Sequence, residues 1–81
     1  MKVEIVTPDV KVFEGEARHV QLPGASGLFG VLKNHAPIIS TLVEGKVKVE
    51  ALDGDISVFN ITGGVVEVNS NKVIVLAEKV F

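Results

Sequence analysis

Turn-forming residues return so often along this chain that little beyond short strands fits between them. Pro8-Asp9, Gly15, Pro23-Gly24, Gly27, Gly30, Asn34, Gly45, Asp53-Gly54, Gly63-Gly64 and Asn69-Ser70-Asn71 punctuate it at short, fairly regular intervals. No window of about eleven residues carries an i, i+3, i+4, i+7 apolar stripe free of glycine. The residues between the breaks suit a pleated sheet. Val and Ile number 22 against 11 for Ala and Leu, and β-branched side chains pack well on strands but lose rotamer freedom in helices. Lys46-Val47-Lys48-Val49-Glu50-Ala51 alternates polar and apolar, the period of a half-buried strand. Met1 to Thr7 and Arg18 to Leu22 alternate in a similar way. Asp53-Gly54 and Asn69-Ser70-Asn71 each separate two such runs and predict hairpins. The spacing predicts an all-β, antiparallel sandwich or flattened barrel of about ten short strands, in one domain over residues 1–81.

A chain of 81 residues has material for one core. It has no cysteine, so neither a disulfide nor a thiolate metal site reinforces that core. Apolar packing must serve, and 47% of the residues are hydrophobic, with mean hydropathy +0.43. The net charge is −2 with both signs scattered singly, which argues against nucleic acid and gives no polybasic handle for a membrane surface. No apolar run approaches the ~20 residues of a spanning helix. Glu4 and Asp9 interrupt the N-terminus where a signal peptide needs an apolar stretch, predicting no export.

Several predicted strands are apolar on both faces: Ile38-Ile39, Leu42-Val43, Val58-Phe59 with Ile61, Val65-Val66, and Val73 to Leu76. A strand over a single core needs only alternate apolar residues. Either crossing segments cover the second face, or that face belongs against a partner. Periodicity leaves both open.

Catalytic chemistry finds little support. Gly24-Ala25-Ser26-Gly27-Leu28-Phe29-Gly30 lacks the Gly-Lys-Ser/Thr ending of a phosphate loop and is followed by the strand-like Val31-Leu32. It is no Gly-x-Ser-x-Gly elbow, because Gly27 follows Ser26 directly. His19 and His35 are the only histidines, a poor metal set without cysteine or a spaced acidic cluster. His19 falls on the polar side of its strand. His35 sits in a loop as either a solvated capping residue or a contact side chain. Glu14/Glu16 and Asp53/Asp55 each share a face, but nothing in the sequence suggests the pocket that paired acid–base work needs. The residues point to a binding or structural module that uses no cofactor.

The stretch Gly27-Leu28-Phe29-Gly30-Val31-Leu32-Lys33-Asn34-His35-Ala36-Pro37-Ile38-Ile39-Ser40 resembles the G-x-x-G-[IV]-x-x-x-H-A-P-[LI]-[LI] segment of the epsilon subunit of F-type ATP synthases. Thr7-Pro8-Asp9 with Phe13-Glu14-Gly15 resembles that family's amino-terminal turn and second strand. Phe59 to Val68 is similar to its aromatic-x-x-[ST]-G-G-[IVF]-[LV]-E-V segment, and Val73 to Glu78 to its V-T-V-L-A-[DE] strand. The matches run in order along nearly the whole chain.

The resemblance implies a ten-stranded β-sandwich at the foot of a rotating central stalk. It would be a non-catalytic subunit joining gamma to the membrane c-ring of a proton-translocating enzyme. It places Ser26, Leu28, Asn34 and His35 at ring-facing loops, and Thr7, Pro37, Ile39 and Ser40 toward gamma, with Phe59 and Ile61 joining that face. Leu28 stands where many relatives carry an acid, so an apolar or water-bridged ring contact is expected in place of a charged one. The family's usual carboxy-terminal helical hairpin has no counterpart after Val80-Phe81. For a naturally short subunit, as opposed to an isolated domain, an ATP site and inhibition by helix extension are therefore not expected. The implied location is peripheral, on the cytoplasmic side of a bacterial inner membrane. A lipoyl or biotinyl carrier is the rival of similar size, but the Asp53-Gly54-Asp55 tip carries no lysine. A small enzyme on a β-scaffold is the second rival.

Overall fold

Fourteen consecutive residues, Lys11–Gly24, form one unbroken strand in the computed structural model, which covers residues 1–81. In chain order the strands are β1 (Lys2–Val6), β2 (Lys11–Gly24), β3 (Gly27–Leu32), β4 (Ile38–Leu42), β5 (Gly45–Ala51), β6 (Ile56–Ile61), β7 (Gly64–Asn69) and β8 (Lys72–Ala77). Eight strands replace the expected ten or so. Gly15 and Pro23-Gly24, expected as turns, lie inside β2. Pro23 is tolerated because pairing with β5 reaches only from Ala17 to Gln21, so its missing N–H breaks no bond to that strand.

β2 builds both layers. Its first half pairs with β1, from Lys11↔Val6 to Glu16↔Lys2. Beyond Ala17 it pairs with β5 on one side and β3 on the other. Between Ala17 and His19 the register slips at Arg18, and such a bulge bends a strand enough to pass it from one sheet to the next. One layer, here the β8 layer, therefore reads β2 start–β1–β8–β7–β4, and the other, the β5 layer, reads β3–β2 end–β5–β6. All pairings are antiparallel except β1 with β8. Gly24↔Leu42 closes the barrel at one seam and the Val80↔Ile61 bridge ties the chain's last residues to the other layer.

Alternate residues of both layers meet in a core of 16 buried apolar side chains, with no polar side chain buried among them. Val3, Ile5, Val66, Val68, Val73 and Val75 come from the β8 layer, and Val20, Leu22, Val31, Val47, Val49 and Ile61 from the β5 layer. Phe13 and Phe59 pack against its margin with ring centroids 5.3 Å apart and planes tilted by 57°.

Both expected hairpins form. Between β5 and β6 the connection is four residues, Leu52 to Asp55, closed by the Gly54 N–H donating to the Ala51 carbonyl at 3.0 Å. Gly54 supplies the left-handed residue (φ 94°) that such a loop requires. Between β7 and β8 the turn is Ser70-Asn71, with Ser70 at φ 55°. Gly64 enters β7 at φ 152°, so close to the Leu76 carbonyl oxygen that a β-carbon there would collide with it. That close approach keeps β7 in register with β8.

Candidate functional site

The doubled apolar runs resolve into inward and outward members. In β4, Leu42 is buried and Ile39 is 75% exposed. In β7, Val66 and Val68 enter the core while Val65 and Glu67 face out, and in β8 Val73 and Val75 are buried while Ile74 and Leu76 face out. Of these outward residues Glu67 and Leu76 are exposed, and Val65 and Ile74 are half-buried. Register then assembles them. Thr41, Val65, Leu76 and Val6 form one cross-strand row over β4, β7, β8 and β1. Ile39, Glu67, Ile74 and Glu4 form the next. With strands ~4.8 Å apart, each row spans roughly 14 Å. This outer face of the β8 layer is an aliphatic band along one side.

Charge bounds the band. Glu4 accepts from Lys11 Nζ at 3.3 Å and from Lys72 Nζ at 3.2 Å, while Glu14 accepts from Lys2 Nζ at 2.8 Å and from Lys11 Nζ at 3.0 Å. The Lys2 and Lys11 ammonium groups hold the Glu14 carboxyl down to about 2, and Lys72 with Lys11 lowers that of Glu4. The reciprocal hydrogen bonds raise Lys2 and Lys11. Glu67, inside the band, has no such partner: it forms neither an ion pair nor a side-chain hydrogen bond.

The outer face of the β5 layer differs. Its rows read Leu32–His19–Glu50–Ile56 and Gly30–Gln21–Lys48–Val58. Aliphatic residues sit at its two edges, and polar ones fill the middle. Arg18 Nε donates to Glu50 Oε2 at 2.6 Å, and Lys46 Nζ donates to Asn60 Oδ1 at 3.3 Å.

The residues expected toward gamma do not all share a surface. Ile39 stands in the outward band. Thr7 lies beside Val6 and Leu76, its Oγ1 accepting from the Val10 N–H at 3.2 Å to close the turn after β1. Pro37 lines a shallow depression with Ile39 and Glu67. Ser40 is a correction: it alternates with Ile39 and, opposite buried Val66, faces the interlayer side. Ile61 is another, being wholly buried in the core. Phe59 is half-buried on the inner face of β6 against Phe13. In β6 the outward members are Ile56, Val58 and Asn60. Adjacent apolar residues hid this phase. Val6, Thr41, Val65, Glu67 and Leu76 were missed as a group because their grouping depends on pairing register; the sequence signals were the doubled apolar runs Val65-Val66 and Val73 to Leu76, and the two-residue step from Ile39 to Thr41.

The four residues expected toward the ring divide into two pairs. Ser26 is exposed in the β2–β3 turn and Leu28 follows, 68% exposed. Asn34 and His35 lie past the other end of β3, ~20 Å of strand away. Asn34 takes the left-handed conformation (φ 65°) in a turn closed by the His35 N–H donating to the Leu32 carbonyl at 3.1 Å. The His35 Nδ1 lies 2.7 Å from the Ala36 carbonyl oxygen, close enough to donate to it. No three His, Asp or Glu side chains converge as a metal set.

The model of the ATP synthase delta/epsilon chain β-sandwich domain matches residues 1–81. The ATP synthase epsilon chain of Chlorobaculum tepidum is 46% identical over 78 residues, spanning 96% of this chain and 89% of its own length. That of Sulfurihydrogenibium sp. is 36% identical over 80 residues, spanning 99% of this chain and 60% of its own. Among solved structures, a chain of the Euglena gracilis mitochondrial ATP synthase OSCP/F1/c-ring assembly superposes with a TM-score of 0.91 at 22% identity, over 98% of this chain and 51% of that one. At that identity the superposition speaks for the fold, whereas the family match and the bacterial relatives speak for descent. The chain belongs to the delta/epsilon chain family of ATP synthases, as its β-sandwich domain.

Proposed function

We propose that the chain is a non-catalytic central-stalk subunit that seats gamma on the c-ring of a proton-translocating ATP synthase. In this reading the outer face of the β8 layer lies against gamma, and the two ends of β3 turn toward the ring. The complex is peripheral to the cytoplasmic side of a bacterial inner membrane. The observation that carries the reading is the outward band of Ile39, Val65, Leu76, Val6 and Ile74, with Thr41 at its β4 end, aliphatic side chains directed away from the domain's own core. A standard interface takes about 800 Å² from each partner. The molecule's broad side measures 26 by 23 Å between Cα extremes, so an interface of that size would take up a whole face. A closed sandwich suits torque transfer, because shearing it breaks many long-range pairings at once.

Two matched variants test the face. Ile39→Asp is expected to weaken binding to purified gamma by at least ~30-fold, the scale of an interface anchor. Val58→Asp, on the opposite layer, is expected to leave that affinity within about twofold. Both positions are exposed, so both variants should unfold within ~0.5 kcal/mol of the parent. Retained affinity in Ile39→Asp would remove this face from the reading.

A further inference from the structure

The aliphatic band holds one carboxylate that nothing in the molecule neutralises. Glu67 pairs across strands with Ile39 on one side and Ile74 on the other. With strands ~4.8 Å apart, a surface that covers both isoleucines must also cover the side chain between them. Glu4, one strand beyond Ile74 in the same row, shows how the fold treats a carboxylate it partly encloses: Lys11 and Lys72 both reach it. Glu67 has neither, and β4 contributes no cation to the row. Stripping water from an unpaired carboxylate opposes docking, whereas supplying a cation converts it into a fixed, directional contact. We infer that the gamma surface seated on this face carries a basic side chain, lysine or arginine, directed between Ile39 and Ile74 onto Glu67. This rests on the reading that the face meets gamma, and it adds the chemistry of the partner. The aliphatic neighbours exclude water around the pair, and the charge fixes where along the band gamma stops.

The sign of one substitution decides the matter. Glu67→Gln keeps the shape and removes the charge. Measured by titration against purified gamma, it is expected to weaken binding by at least ~10-fold, because it strands the partner's cation. It should also flatten the dependence of affinity on salt. Glu67→Lys should weaken binding further. If Glu67→Gln binds as well as the parent or more tightly while Ile39→Asp releases gamma, no cation faces Glu67; the inference falls and the docking face stands. If Ile39→Asp also binds normally, the face is wrong and the inference falls with it. Glu67 is exposed, so unchanged thermal unfolding of the free variants separates these outcomes from misfolding.

Discussion

The two outer faces of this sandwich carry similar numbers of aliphatic residues and arrange them in opposite ways. On the β8 layer they gather across four strands with Glu67 the one charge among them, and the other charges lie at one end as mutually neutralised pairs. On the β5 layer Leu28 and Leu32 occupy one edge, Ile56 and Val58 the other, and His19, Gln21, Lys48 and Glu50 separate them. Exposure does not favour the first: Leu28, Leu32, Ile56 and Val58 on the second are all exposed, whereas on the first Ile39 and Leu76 are exposed and Val6, Val65 and Ile74 are half-buried. Contiguity does. A partner can exclude water from a continuous band, whereas isolated aliphatic side chains ringed by polar groups are ordinary protein surface.

The comparison depends on a third population, the side chains between the layers, which neither face can use. Ile61 belongs there, and the largest expected effect is at that position. Ile61→Ala should cost about 2–5 kcal/mol in chemical denaturation, through lost burial and the cavity left behind, whereas Leu76→Ala should cost less than ~1 kcal/mol. Equal costs would mean that the inward and outward phases of β6 and β8 are misassigned.

That phase is where the sequence stopped being legible. The alternation in Lys46 to Ala51 became β5, and both predicted hairpins are present, because period-two burial and turn chemistry are local properties. Strand number was not local. Gly15 and Pro23-Gly24 read as breaks, yet the bulge at Arg18 lets one strand run through both layers and absorb them. The parallel β1–β8 pairing joins the two ends of the chain, beyond any short-range pattern. In Val58-Phe59-Asn60-Ile61 the sequence does not say which member faces inward, and the resemblance alone groups Phe59 and Ile61 with Ile39, which lies on the other layer. The Ser26–Leu28 and Asn34–His35 pairs were legible as loop-borne residues. Their separation by the length of β3 was not.

The smallest expected effect sharpens the charged border of the band. Lys2 and Lys11 hold Glu14 down at about 2 from an ordinary value of 4.5, so between those values the unfolded chain binds more protons than the folded one. The stability these contacts supply is complete above pH ~4.5 and is lost as pH falls toward ~2. Glu14→Gln should therefore lower stability slightly near neutral pH and make the acid limb of the unfolding curve shallower over that window. An unchanged acid limb would show that the pairs contribute nothing measurable, as exposed pairs often do.

Because the chain has no cysteine, single-cysteine variants test the central distinction directly. Leu76→Cys and Val58→Cys place thiols of nearly equal exposure on the two faces, and alkylation rates with and without gamma report which one is covered. Gamma is expected to slow modification at position 76 by at least ~10-fold and to leave position 58 unaffected. Protection of position 58 with position 76 still reactive would contradict the account.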